Sequence, residues 1–147
     1  MVSHNLLRFR NIFKGFFMIP ELQLVLFYAL SVILMLIVQS YLATQQHGIK
    51  ILAERIEHIT LTGIAGRSDR AVNNSIVSLV FVLPAVMALA LIGQSSTGTV
   101  IAVQIFLVAR ILYFVAYLFS ITWVRSCLWW VGTICVFYLY AIALSSN

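Results

Sequence analysis

Residues 66–74 read GRSDRAVNN, and from Val72 the chain runs on, almost without polar interruption, to Ile92. Two arginines, an aspartate and two asparagines therefore stand at the head of a long apolar run. The whole chain of 147 residues holds only nine basic and four acidic side chains, so three charges within nine residues are a concentration. How this stretch is read decides the fold: it is the polar flank of a membrane segment or the start of a soluble surface.

Composition answers for the membrane. Charged residues make up 9% of the chain and hydrophobic ones 63%, and the mean hydropathy is +1.06. A soluble domain carries about 25% charged residues. Crossing the hydrocarbon core as a helix takes about 20 mostly apolar residues, and four such segments can be read, near Leu22–Thr44, Val72–Ile92, Val100–Ser120 and Val124–Leu144. These runs are continuously apolar, whereas barrel strands alternate apolar and polar residues in runs of about 10. The expected architecture is therefore all-α, a single-domain integral membrane four-helix bundle.

The rest of the chain is flank and connection. The amino terminus interleaves Arg8, Arg10 and Lys14 with Phe9, Phe13, Phe16 and Phe17, so residues 1–19 read as a basic aromatic segment at the headgroup level or as a plain flank of the first span. The first connection, Gln45–Ser68, is long, and Ile51, Leu52, Ile56 and Ile59 recur in it at the spacing of a short surface helix. The other two, near Gly93–Thr99 and Phe119–Trp123, are short. Four spans put both termini on one side. Lys50, Arg55, Arg67, Arg70 and Arg125 then share the opposite side against Arg8, Arg10 and Lys14, which places the loops in the cytoplasm. The formal charge of +5 is scattered among spans, which excludes a nucleic-acid surface. Cys127 and Cys135 lie about two turns apart on one helix, too far for a disulfide, and read as packing residues. Gly132 and Pro84 read likewise, as a close-contact position and a tolerated kink. No metal site is expected.

Polar residues inside the spans carry the functional signal. An arginine at the bilayer centre costs about 2.5 kcal/mol or more on insertion scales, and Arg110 lies about 12 Å from the end of the third span. Arg110, Tyr113 and Tyr117 stand at offsets of 0, 3 and 7, which share one helical face. Arg67, Arg70 and Asn74 repeat that spacing in the second span, and Arg125 and Ser126 open the fourth. Three helices thus bring polar stripes to one membrane face. Read singly, Arg67 and Arg125 are snorkelling flanks, Asp69 is a helix-start residue, Tyr117 is an interfacial anchor, Ser126 packs, and Arg110 forms an ion pair with Asp69 or Glu54. Read together, they form a pocket for an anion: guanidinium forks bind carboxylates, and positive charge favours the thiolate of a bound thiol. The chemistry expected is conjugation or isomerisation by an activated thiolate, with an apolar second substrate arriving from the lipid. A transporter fits less well, because no paired broken helices occur.

GRSDRAVNN followed by VARILYFVAYLFSITWVRSCLWWVG (residues 108–132) resembles the MAPEG family, membrane-associated proteins in eicosanoid and glutathione metabolism, and most of all its short bacterial members. The resemblance runs from about Gly66 to Leu144. It implies a homotrimer of four-helix subunits in the bacterial inner membrane, with glutathione held between neighbouring subunits and a lipophilic small molecule as second substrate. By position, Arg70 and Asn74 match glutathione-binding residues of the second helix. Tyr113 and Tyr117 match residues lining the same site, and Arg110 an arginine that precedes them. Arg125 matches the arginine that stabilises the thiolate, and Ser126 the serine that follows it. The polar residue of the first helix falls nearest Gln39. One departure bears on the cofactor. The family's second helix reads Arg–x–x–x–Asn–x–x–Glu and then proline, whereas this chain has Val77 at the glutamate position and a later proline, Pro84. The missing carboxylate holds the amine of glutathione, a charge-assisted bond worth about 1.5–3 kcal/mol. The expected function is a glutathione-dependent transferase or peroxidase. The alternative is a non-catalytic membrane protein that binds an anionic lipid or another small anion.

Overall fold

The computed structural model describes residues 19–49 and 60–145, and these form four helices with no strand among them. They are α1 (Pro20–His47), α2 (Gly63–Leu91), α3 (Thr97–Leu118) and α4 (Thr122–Ser145). All four are long and apolar enough to cross a membrane. The basic aromatic segment before Ile19, the Ile51–Ile59 helix and Glu54 lie outside the described residues.

Local chemistry explains most of the helix ends. Pro20 starts α1 with its φ already helical, and Gly48 ends it at a φ of 78° while donating its N–H to the Thr44 carbonyl. A capping box starts α3, in which the Ser96 hydroxyl accepts from the Thr99 N–H and the Thr99 hydroxyl accepts from the Ser96 N–H. The chain turns from α3 to α4 within residues 119–121, through Ser120 at a φ of 62°.

The second helix corrects the sequence reading most. It starts at Gly63, well before the apolar run at Val72, so the whole of GRSDRAVNN is helical, in keeping with the offsets of Arg67, Arg70 and Asn74. The reason is a buried stripe of small residues that continues back through the polar stretch: Ala65, Ser68, Ala71, Ser75 and Ser78 recur every three or four residues and are buried. Small side chains let another helix approach closely, and hydropathy does not register a stripe that is part serine. Gly66 belongs to the same device, because a Cβ there would collide with the Leu61 carbonyl. Asp69 is therefore not a helix-start residue but lies well inside α2, where it accepts hydrogen bonds from Gln39 at 2.8 Å and Asn73 at 3.4 Å.

In the bundle α2 and α3 each touch all the other helices, whereas α1 and α4 do not touch each other. The apolar core falls into two clusters. The larger includes Tyr28, Val82, Leu89, Phe106 and Leu139. The smaller, toward the α1–α2 connection, comprises Met35, Ala71, Val72 and Phe114. Between them, on α2 and α3, lies a polar layer holding Asn74, Ser75, Ser78 and Arg110. The Tyr28 hydroxyl donates into this layer, to the Ser75 carbonyl at 3.0 Å.

A second polar knot sits at the opposite end of the bundle. Glu21 is fully buried and accepts hydrogen bonds from the hydroxyls of Ser95 and Thr99. It ties the start of α1 to the start of α3, where the helix dipole favours a carboxylate.

Candidate functional site

Arg110 is the centre of the polar layer. It is 3% exposed, and its guanidinium lies beside Gly132 of α4: a Cβ at Gly132 would stand 2.8 Å from Nε. The glycine expected to bring two helices together thus makes room for a charged side chain. Nη1 donates to Asn74 Oδ1 at 3.5 Å, a long bond. Nε is the only buried side-chain nitrogen or oxygen with no hydrogen-bond partner among the described residues. The neighbouring hydroxyls of Ser75 and Ser78 donate to backbone carbonyls of α2, and neither accepts a hydrogen bond from the guanidinium. An ion pair of Arg110 with Asp69 does not form, since Gln39 and Asn73 occupy that carboxylate. The rings of Phe106 and Tyr113 complete the surroundings: the guanidinium carbon lies over them, 5.4 and 5.9 Å from their centroids.

From Arg110 a groove of about 370 Å³ runs between α2 and α4. Asn74 and Trp129 stand at its upper end and Phe81, Phe137 and Tyr140 at its lower end. Several lining residues, among them Val77, Phe81 and Phe137, are also exposed, so the groove opens at the surface of the subunit. Among the described residues no acidic side chain lines it.

A second, smaller hollow of about 170 Å³ lies at the α3–α4 turn, lined by Tyr113, Arg125, Ser126, Trp129 and Trp130. The Arg125 guanidinium packs over the Tyr117 ring at 4.6 Å. Tyr117 in turn meets Tyr113 edge to face at 5.6 Å. The Ser126 hydroxyl donates to the Thr122 carbonyl one turn back, at 3.1 Å, so its lone pairs remain free toward the hollow. Trp129 lines both hollows, and Tyr113 lies between Arg110 and Arg125. The mouth and the groove therefore adjoin at Trp129.

The residues singled out in the sequence separate into three sets. Asn74 and Arg110 meet in the groove, and Tyr113, Tyr117, Arg125 and Ser126 meet at the mouth. Arg70 lines neither hollow: it is exposed, and its guanidinium folds back toward Gly66. Arg67 is structural, because its Nε donates to the Leu118 carbonyl at 3.1 Å and so satisfies the end of α3. Cys135 is buried and Cys127 exposed, both free, so packing describes Cys135 alone. Spacing missed Trp129, Phe81, Phe137 and Tyr140, which read as ordinary apolar residues of their spans. A sequence signal for them existed: Trp129, Val136 and Tyr140 repeat at helical intervals from the mouth downward.

No curated protein and no solved structure matches the chain. The family model described as MAPEG family matches residues 24–145, nearly the whole chain. With four membrane-spanning helices and a family match of that extent, the chain is an integral multi-pass membrane protein that belongs to the MAPEG family.

Proposed function

We propose that the protein is a glutathione-dependent transferase or peroxidase that acts on lipophilic electrophiles. The observation that carries this reading is the junction at Trp129 of a cationic mouth with an apolar groove open at the subunit surface. A charged peptide would enter the first and a lipid-soluble substrate the second. The donor set fits the carboxylates of glutathione: the side chains of Arg70 and Arg125 make no hydrogen bond or ion pair among the described residues, and guanidinium forks suit carboxylates. It fits the amine less well, because no carboxylate lines either hollow.

When bound, glutathione supplies the sulfur nucleophile. Arg125 provides positive charge where a thiolate would sit, and opposite charge favours the ionised form. Tyr117, packed under the guanidinium, holds its position. Ser126 has a hydroxyl at the mouth to orient the sulfur, and Tyr113 separates that charge from Arg110. Trp129 and Trp130 exclude water from the reacting side. The assay that tests the reading is glutathione-dependent conjugation of a lipophilic chloronitrobenzene by the purified protein. A rate above background that falls with Arg125→Ala supports it, and no rate in the wild type rejects it.

A homotrimer belongs to the same proposal. Arg70 and Asn73 are exposed on one face of α2, and a second copy would cover them and bring Arg70 toward a ligand. The mass of the detergent-solubilised complex tests this. The basic residues of the loops favour a mouth on the cytoplasmic side of a bacterial inner membrane.

The second reading is a membrane protein that binds an anionic lipid without catalysis. Val77 in the groove, with no acid for an ammonium group, favours it. Glutathione stabilises the protein against heat under the first reading, and anionic lipid alone does so under the second.

A further inference from the structure

We propose that the outer face of α3 is a self-association surface, on which a second copy of the chain packs its own α3 in parallel, with Gln104 meeting Gln104 across a two-fold axis. The proposal does not rest on the glutathione reading, and the surface is separate from the α2 face that carries Arg70 and Asn73.

Gln104 is the signal. It is exposed on α3, and its amide makes no hydrogen bond among the described residues. It stands about 10 Å along the helix axis from Thr97, where α3 begins. At that depth in a span the subunit surface meets either hydrocarbon or another chain. An amide turned to hydrocarbon with no partner is costly. Its own helix gives no relief, because every other exposed residue of α3 from Ile101 to Val115 is apolar. The complement of an amide is a group that both donates and accepts. A second glutamine is such a group: each NH2 can donate to the other's carbonyl oxygen, which makes two reciprocal bonds.

The residues around Gln104 give the geometry. Ile101, Gln104, Val108, Ile111 and Val115 follow one another at steps of three, four, three and four, and all five are exposed. Such a row is the a and d seam of two helices that wind round each other. Ile101, Val108 and Val115 fall at a, where β-branched side chains suit parallel pairs, and one polar residue in the seam fixes its register. Copies of a membrane protein share one orientation. A two-fold axis along the membrane normal therefore sets the two α3 helices parallel and brings each seam residue to its own counterpart. Beside the seam a hollow of about 330 Å³ lies between α3 and α4, with Gln104, Val108, Leu112, Leu128 and Val131 in its lining. Helices in lipid are held together by close packing and by hydrogen bonds between them, and the hollow gives the partner's side chains a recess to enter. A lipid chain would fill the hollow but leave the amide unpaired.

The test is oxidative cross-linking of the full-length protein in lipid vesicles. A Cys127→Ser background removes the exposed native thiol and leaves the buried Cys135. Gln104→Cys and Ile111→Cys, on the seam, are expected to form covalent dimers several times faster than Ile105→Cys and Leu112→Cys, which are exposed beside it. Adding Gln104→Leu to Ile111→Cys is expected to slow that cross-link about threefold or more, through loss of hydrogen bonds between helices in the membrane. The helix content should stay unchanged, because the amide has no partner within its own subunit. Equal rates at the four positions, or an Ile111→Cys cross-link that Gln104→Leu does not slow, would overturn the proposal. No covalent dimer at the seam would overturn it as well, leaving this face to lipid and sparing a trimer closed on the α2 face alone.

Discussion

Asn74 of α2 and Arg110 of α3 meet across the polar layer at 3.5 Å, and that long contact is the one hydrogen bond the buried guanidinium makes within the described residues. Two apolar clusters lie on either side of it. A side chain so placed costs stability, and two consequences follow for experiment.

Replacing Arg110 with methionine removes a buried, weakly paired charge and keeps the volume. Exchanging buried ionic groups for apolar ones of similar size is often stabilising by about 1–4 kcal/mol. Arg110→Met is therefore expected to unfold at a higher temperature than the unliganded wild type in detergent. A lower midpoint would show that the guanidinium holds the bundle together.

Gly132→Ala acts on the same group from the other side. Its Cβ would lie 2.8 Å from Arg110 Nε, so the guanidinium or α4 must move, at a cost of about 1–3 kcal/mol. In Arg110→Met the flexible thioether yields, and most of the cost is expected to vanish. A double-mutant cycle of unfolding free energies checks the coupling. Strict additivity would mean that the two residues do not share the space.

Glu21 tests the far end of the bundle. Glu21→Ala leaves the Ser95 and Thr99 hydroxyls without their buried acceptor, which costs about 1–3 kcal/mol. Glu21→Gln keeps an acceptor and is expected to cost less. Equal losses for the two variants would show that charge, rather than the hydrogen bonds, matters there.

The sequence reading and the structure agree on class and span count for a simple reason. Apolar runs long enough to cross a bilayer are strong signals, and all four emerge as helices. Helical offsets marked α2 as far back as Arg67, but its start at Gly63 was not legible from hydropathy, because helix formation there follows a stripe of small buried residues, Ala65, Ser68 and Ala71. The partner of Asp69 was not legible either, since Gln39 reaches it from α1, and nothing in local spacing encodes that contact. Helical offsets did gather Arg110, Tyr113 and Tyr117, but they put Arg67 and Arg70 on the same footing as Asn74. Only packing shows that Arg67 is spent on the end of α3 and that Arg70 stands apart. Glu21 carries no signal in the sequence, because its burial depends on the α2–α3 turn, which brings Ser95 and Thr99 to it.

The central claim is that the Arg125 mouth holds a sulfur nucleophile in its ionised form. The most direct measurement is the ultraviolet thiolate absorbance of glutathione added to the purified protein at neutral pH. Free thiols have a pKa of about 8.5 and are mostly protonated there. A saturable thiolate band is predicted for the wild type, with a band weakened about tenfold or more in Arg125→Ala and an unfolding midpoint changed by little, because a half-exposed cation–π contact is worth only about 0.5–1 kcal/mol. No thiolate band in the wild type, or an undiminished band in Arg125→Ala, would contradict the account.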